Sequence, residues 1–476
     1  MNASPVGNDS AATTTASSSS NTRHPTATLA ASILGSSLAF IDGSVINVAL
    51  PTIGQSLDAG PAALAWTINA YLLPLGALIL LGGAAGDHYG RRRIFLLGLA
   101  LFFVSSVLST LAPTQAWLLV GRGLQGIGAA LLMPNSLALL GANFTGEERG
   151  RAIGTWAAVG AIAGAVGPVI GGWIVDHLGW RPIFLINVPI ALGAMWLAFR
   201  YVEESRDRRP GSRLDWIGGV VATLALGIVV WGLTAAADPS THHWTIALAL
   251  VIGLALMVLF VWIERMQGDD ALMPRALFGT STFAGLSLLT FFLYAALGGL
   301  IVLLPYVLIR SGNYSGIEAG AAMLPIPLLI GIGSRLMGKV AARIGGRWLL
   351  SGGALIVAIG LALYARIDGN GIDYWRDILP PTLIVAIGMA ISVAPLTTSV
   401  MGSVDADHVG AASGFNSALA RIGGLIATAF LGFVFAADAN GGMLLSRVHL
   451  AAIVGAVSCV LAALCGAALI RAADSQ

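Results

Sequence analysis

The sequence predicts an all-α integral membrane protein in which fourteen spanning helices form two six-helix bundles joined by an inserted helical pair. Three observations carry that prediction. Of the 476 residues, 57% are hydrophobic and 10% charged, with a mean hydropathy of +0.84, which is too apolar and too weakly charged for an ordinary water-soluble globule. Apolar runs near the bilayer-crossing length of about 20 residues follow one another along the chain. The two ends of the chain also repeat each other in sequence.

Residues 1–27, rich in Ser, Thr and Ala, cannot bury a core and are expected to form a disordered cytoplasmic tail. A signal peptide is the competing reading, because Arg23 precedes an apolar run. That run lacks a small-residue cleavage site and contains Asp42, so it is expected to remain as the first span. Spans then fall near 28–50, 62–84, 94–112, 117–140, 151–175 and 181–200, all within a first bundle of 28–200. A polar linker, Arg200 to Arg213, leads into a pair at 214–236 and 244–264, within 201–281. The second bundle, 282–470, takes spans near 282–309, 318–338, 348–366, 378–401, 409–436 and 447–470, and residues 471–476 form a short cytoplasmic tail.

Basic residues orient the chain. With the N-terminus in the cytoplasm, 17 of the 25 basic residues fall on cytoplasmic ends and loops, five on the opposite side, and Arg122, Arg335 and Arg421 within helices. An even number of spans returns the C-terminus to the cytoplasm. The formal net charge of +2 gives no global basic field, so nucleic acid is not an expected partner. Cys459 and Cys465 lie within one apolar run and read as small packing residues. No metal or cofactor site is expected. The adjacent His242 and His243 fit a solvated outer loop better than a metal site.

Five segments stand out. "IDGSVINVALP" (Ile41 to Pro51) places an acid inside the first span. "GAAGDHYGRRR" (Gly83 to Arg93) concentrates charge between spans 2 and 3, and "GKVAARIGGRW" (Gly338 to Trp348) repeats its Gly, Gly and Arg positions with Ala342 where Asp87 stands. "GRGLQGIGAA" (Gly121 to Ala130) carries a buried arginine in span 4. "GAIAGAVGPVIGG" (Gly160 to Gly172) lies in span 5, and "WRPIFLINVP" (Trp180 to Pro189) opens span 6. Gly150, Gly154 and Gly164 recur at Gly410, Gly414 and Gly424. On these motifs, from about residue 28 to 470, the chain resembles the major facilitator superfamily, and more narrowly its fourteen-helix drug/proton antiporter branch. The resemblance implies the major facilitator fold and a multi-pass exporter in the cell (inner) membrane. Such an exporter would exchange protons for an amphipathic small molecule by alternating access, without a cofactor and as a monomer. An importer or facilitator on the same fold is the alternative, which the span 5 motif disfavours. A membrane enzyme or receptor is another, though no HExxH, GxSxG or clustered His/Cys/Asp is present.

The residues also carry physical readings. Asp42 sits about 8 residues, or roughly 12 Å, from the outer end of span 1, where a carboxylate costs about 2.5–3.5 kcal/mol on insertion scales. Arg122 lies at comparable depth, so the two are expected to pair. Burial opposes ionisation of the acid and a guanidinium favours it, which suits a proton-coupling site; a static ion pair is the bland reading. Gln125, one turn from Arg122, serves either the pair, the cargo or helix packing. Gly83, Asp87, Gly90, Arg91 and Arg92 are expected to form a cytoplasmic gate in which the arginines meet Glu147 and Glu148 and Asp87 faces the start of span 13 near Val409. The competing reading is that the arginines simply obey the positive-inside rule. Gly160, Gly164 and Pro168, with Gly167, Gly171 and Gly172, form a side-chain-poor stripe for close helix packing and a bend. Midplane candidates for cargo are Asn69, Gln125, Met133, Asn135 and Trp156 with Phe292, Tyr294, Met323, Met389, Asn416 and Arg421, although such residues more often pack or face lipid. Apart from Asp42 the spans hold no clear intramembrane acid, which favours neutral or weakly charged cargo. Arg335 is expected to snorkel.

Overall fold

The structure, a computed structural model, describes residues 24–206, 215–236, 240–267, 279–367, 371–405, 409–439 and 444–470. Fourteen helical segments among them are long and apolar enough to cross a membrane. The first bundle comprises α1 (Pro25–Leu57), α2 (Pro61–Tyr89), α3 (Arg91–Thr110), α4 (Gln115–Asn143), α5 (Gly146–Leu178) and α6 (Asn187–Tyr201). The inserted pair is α7 (Trp216–Ala235) and α8 (His243–Gln267). The second bundle comprises α9 (Ser281–Arg310), α10 (Gly316–Ala322), α11 (Pro325–Ile344), α12 (Gly346–Leu363), α13 (Leu379–Gly402), α14 (Val409–Ala439) and α15 (Leu444–Leu469). Of the expected tails, 1–27 and 471–476, residues 1–23 and 471–476 lie outside the described residues, while Pro25 opens α1 inside the first of them, at the first helical position, where its missing N–H costs nothing.

Helix ends run past the hydropathy boundaries because the apolar window measures the bilayer and the hydrogen-bonded helix continues into the interface. Four of the described spans depart from a continuous α-helix: the eleventh ends in a 3-10 turn at Tyr364–Arg366, the twelfth opens on a π turn at Tyr374–Ile378, and the tenth and sixth are interrupted. The tenth is broken between Ala322 and Pro325, where Leu324 N–H reaches the carbonyl of Ala321, three residues back, and Pro325 has no N–H to give. The sixth begins as a short 3-10 turn, Arg181–Ile183, before α6 starts at Asn187. That break puts a fully buried polar side chain, Asn187, at the head of α6.

Each bundle has its own apolar core. Leu38, Tyr71, Phe95, Leu99, Phe102 and Leu132 anchor the first, and Phe283, Leu293, Leu350, Val357, Val385 and Met389 the second. The bundles meet where α1 packs on α9, with Val45, Ile46 and Ile53 in one apolar cluster with Val302 and Tyr306, and along two flanking seams. Along one, α2 lies against α14, and α7 packs across both, with Val230 on Leu425 and Ala429; α8 packs on α7. Along the other, α5 meets α10 and α11. The chain turns sharply from α2 to α3 at Gly90 (φ 114°) and from α11 to α12 at Gly345 (φ 82°), left-handed positions that matching glycines of the repeat supply.

Candidate functional site

Asp42 of α1 and Arg122 of α4 are both fully buried and form a salt bridge through Oδ2 and Nη1. The other carboxylate oxygen accepts from Gln125 Nε2 at 3.1 Å and from Asn187 Nδ2 at 3.1 Å. Gln125 also donates to Ser106 Oγ at 3.0 Å, and its own oxygen accepts from Arg122 Nη1 at 2.8 Å. Arg122 Nε donates to the Thr67 carbonyl at 3.2 Å, and the guanidinium lies 4.5 Å over the Tyr71 ring. Tyr71 in turn donates to the Ala39 carbonyl at 3.1 Å. Side chains from α1, α2, α3, α4 and α6 therefore join in one network around the Asp42–Arg122 pair, with α4 and α6 supplying the donors to the carboxylate. Each donor to Asp42 matches a negative oxygen, which is how a buried charge is tolerated. A proton on Asp42 would remove the charge that holds Arg122. The guanidinium would then depend on Gln125, the Thr67 carbonyl and the Tyr71 face, while its Nη2 already lacks a partner.

The expected pairing of Asp42 with Arg122 is thus present as geometry. Gln125 belongs to this network. Asn187, Ser106 and Tyr71 were not singled out by the sequence reading. The available signal for Asn187 was an amide inside the apolar run "FLINVP".

The arginine cluster makes different contacts from those expected. Arg91 bonds Asp87 at 2.8 Å. Arg92 donates through Nε to the Ala198 carbonyl (3.1 Å) and through Nη2 to that of Phe199 (2.5 Å), so it neutralises the carbonyl end of α6. The Glu204 carboxylate accepts from the backbone N–H of Arg92 at 3.0 Å and of Arg93 at 3.3 Å, at the head of α3. A Cβ at Gly90 would lie 2.6 Å from that carboxylate. Glu147 instead pairs with Arg151 one turn along α5, and Glu148 is exposed. The cluster therefore ties α2 and α3 to the end of α6 within one bundle, because Glu204 in the linker reaches the turn before the acids of α5 do. Gly83 sits 3.4 Å from Pro134 of α4 by the same measure. The proposed approach of Asp87 to Val409 falls on side chains outside the described ones, as does Arg335.

On α5 the glycines divide. Cβ atoms at Gly160, Gly167 and Gly171 would meet Phe40, Ser44 and Val45 of α1 at 2.7, 2.2 and 2.2 Å. Gly172 would meet the Gly316 carbonyl of α10 at 2.1 Å, and Gly320 would meet that of Pro168 at 2.2 Å. Asp176, near the end of α5, accepts from the N–H groups of Gly316 (2.8 Å) and Ile317 (2.9 Å). A Cβ added at Gly164 would meet nothing within 4 Å, so Gly164 is not pressed against a neighbouring helix as the other glycines of the stripe are.

Several cargo candidates are committed to packing. Met133, Met323 and Met389 belong to the bundle cores. Asn135 is fully buried and donates to the Gly82 and Leu131 carbonyls at 2.9 and 2.8 Å. Asn69 is fully buried, with neither amide atom bonded. Phe292 lines a crevice in the second bundle. Four remain partly exposed. Trp156 donates to Ser36 Oγ at 2.7 Å, Asn416 accepts from Thr290 at 2.5 Å, Arg421 lies against Gly76 of α2, and Tyr294 is within electrostatic reach of Arg421.

A fourteen-span, two-bundle membrane protein with a buried charge network in one bundle is of the class of secondary transporters. The Major Facilitator Superfamily profile matches residues 32–428, and the chain belongs to that family. It is 34% identical over 414 residues to the multidrug resistance protein Stp of Mycobacterium tuberculosis, covering 86% of this chain and 76% of that one. Methylenomycin A resistance protein of Bacillus subtilis is 32% identical over 404 residues, with 84% and 85% covered. Puromycin resistance protein pur8 of Streptomyces alboniger is 34% identical over 402, with 83% and 79% covered. Among solved structures, a bacterial homolog of the human lysosomal transporter Spinster aligns with TM-score 0.64 at 18% identity over 95% of this chain and 99% of that one. A D-xylose–proton symporter also gives 0.64, at 16% identity over 94% and 99%. The fold is that of the superfamily, and the protein is a multi-pass membrane protein.

Proposed function

We propose that this protein is a proton-coupled exporter of lipophilic, drug-like compounds that works by alternating access, with Asp42 as the proton site. The observation that carries the reading is a fully buried carboxylate held by three side-chain donors at the junction of α1, α4 and α6. An ionisable group at membrane depth marks a substrate or proton path, and relatives at 32–34% identity are named for resistance to drugs and antibiotics. The arginine-rich ends and both termini face the cytoplasm in this reading. Protonation of Asp42 from outside frees Arg122 from its counter-charge and loosens α4 and α6 from α1, and deprotonation to the cytoplasm restores the network. A proton entering down about 100 mV yields about 2.3 kcal/mol, enough for modest uphill extrusion. Cargo passes between the bundles near Trp156, Tyr294, Asn416 and Arg421, and with few acids there it is neutral or weakly charged.

The test is dye and antibiotic efflux from everted vesicles under an imposed pH gradient. Asp42→Asn should abolish gradient-driven transport while downhill flux of the same dye continues. Gradient-driven transport at the native rate in Asp42→Asn would remove the acid from coupling.

A further inference from the structure

A well-formed cavity of about 540 Å³ lies away from the space between the bundles. It lies inside the second one, walled by α9, α14 and α15 with α12 behind. Its origin is in the packing: α14 and α15 are consecutive, yet each lies along α9 and they touch one another only briefly. Small residues, among them Ala295, Gly299, Ala427 and Ala451, leave the floor low. The rim carries Phe430, Phe433, Leu450 and Val454, all exposed on spanning helices, so the crevice opens sideways toward lipid.

Its polar groups are nearly all engaged. Tyr364 Oη bonds Thr382 at 2.6 Å, and Ser458 Oγ donates to the Phe292 carbonyl at 2.9 Å. Arg447 is the exception: exposed, in the first turn of α15, with no hydrogen bond or ion pair among the described residues. A cation at that end of a helix runs against the helix dipole, so the helix gains nothing from it. In the first bundle Arg181, in the 3-10 turn before α6, donates to the Ala112 carbonyl at 3.0 Å and lies 4.4 Å over the Trp180 ring. The second bundle leaves its arginine free above an apolar slot. Along α15 the slot runs from Arg447 to Ser458, about 16 Å at 1.5 Å per residue, half of a hydrocarbon core about 30 Å thick.

We propose that this crevice binds an anionic phospholipid from the surrounding bilayer, one acyl chain lying in the slot and the phosphate on Arg447. One leaflet of depth, lateral access and a single unpaired cation at the headgroup level are together what such a lipid requires. The assignment does not depend on the direction of transport or on its proton coupling.

The test uses the full chain, purified in detergent, stripped of lipid and examined by native mass spectrometry with dioleoyl phosphatidylglycerol or dioleoyl phosphatidylcholine. The native protein should retain one phosphatidylglycerol and prefer it to phosphatidylcholine by at least about tenfold, a charge-assisted contact's worth. Arg447→Gln, at an exposed position, should erase the preference without changing the unfolding temperature. Ala451→Trp, which fills the slot, should lose retention of both lipids. Equal phosphatidylglycerol retention in the native protein and Arg447→Gln overturns the proposal. So does failure to retain the lipid while rhodamine 6G is retained and is displaced by Ala451→Trp, which would give the crevice to cargo instead.

Discussion

The two seams between the bundles are built on opposite plans. Along α2 and α14 the contact extends from Leu64 and Ile68, clustered with Leu431 and Phe435, past Gly76, beside Arg421, to Leu80, beside Gly414, and α7 lies across it. Along α5 the contact is confined to one end: Gly172 and Pro168 press on Gly316 and Gly320 of α10, and Asp176 clasps the same turn. Toward the arginine-rich end, Gly150, Gly154 and Gly164 have open space, and Leu328, Ile332 and Leu336 of α11 are exposed. The repeat makes the contrast informative, because Gly154 and Gly414 correspond in sequence while only Gly414 is packed. One seam is continuous and covered; the other is closed at the far end alone, so movement of one bundle against the other has room along α5 and α11.

The largest effect should come from breaking the closed end. In Gly172→Leu the first added carbon already falls 2.1 Å from backbone atoms of α10, which cannot move aside as a side chain can. We expect more than tenfold loss of transport, a fall in unfolding temperature, and faster labelling of cysteines introduced near Asp176. Gly320→Leu should do the same from the other side. Native labelling rates in both variants would mean that this contact does not close the far end. On the continuous seam Gly414→Leu meets only the tip of Leu80 at 2.5 Å, so overpacking should cost about 1–3 kcal/mol, measured by thermal unfolding. Asp176→Asn keeps one acceptor oxygen at the head of α10 but loses the charge and turns an NH2 toward the second backbone N–H, which should cost about 0.5–1.5 kcal/mol.

Much of this contrast was out of reach of the sequence, for a physical reason. Hydropathy and arginine placement report on lipid and on the bilayer surface, so spans and repeats could be read directly. Asp42 and Arg122 could be paired in advance because each is costly alone at membrane depth. Asn187 and Ser106 are cheap enough to bury with any partner and left no comparable mark. The arginine cluster was legible as a cluster, but its partner, Glu204, sits in a polar linker where one acid looks like the next. The stripe on α5 shows which positions can approach a neighbour closely, whereas which of them do so in a given state depends on the second bundle.

Gly164 tests that last distinction most directly. Its neighbours on the stripe are packed against α1 or α10, yet a Cβ added to it would meet nothing within 4 Å here. Gly164→Leu should therefore leave stability within about 0.5 kcal/mol of native, as for substitutions that meet no neighbour. If the open part of the seam closes during the cycle, the added side chain would then obstruct that closure, and turnover should fall severalfold at unchanged expression and unfolding temperature. The pair Gly172→Leu and Gly164→Leu separates the two ends of one helix: the first loses stability and transport together, the second transport alone. Undiminished turnover in Gly164→Leu would mean that α5 and α11 never approach one another at this depth, and that bundle movement uses the α2 and α14 seam despite its cover.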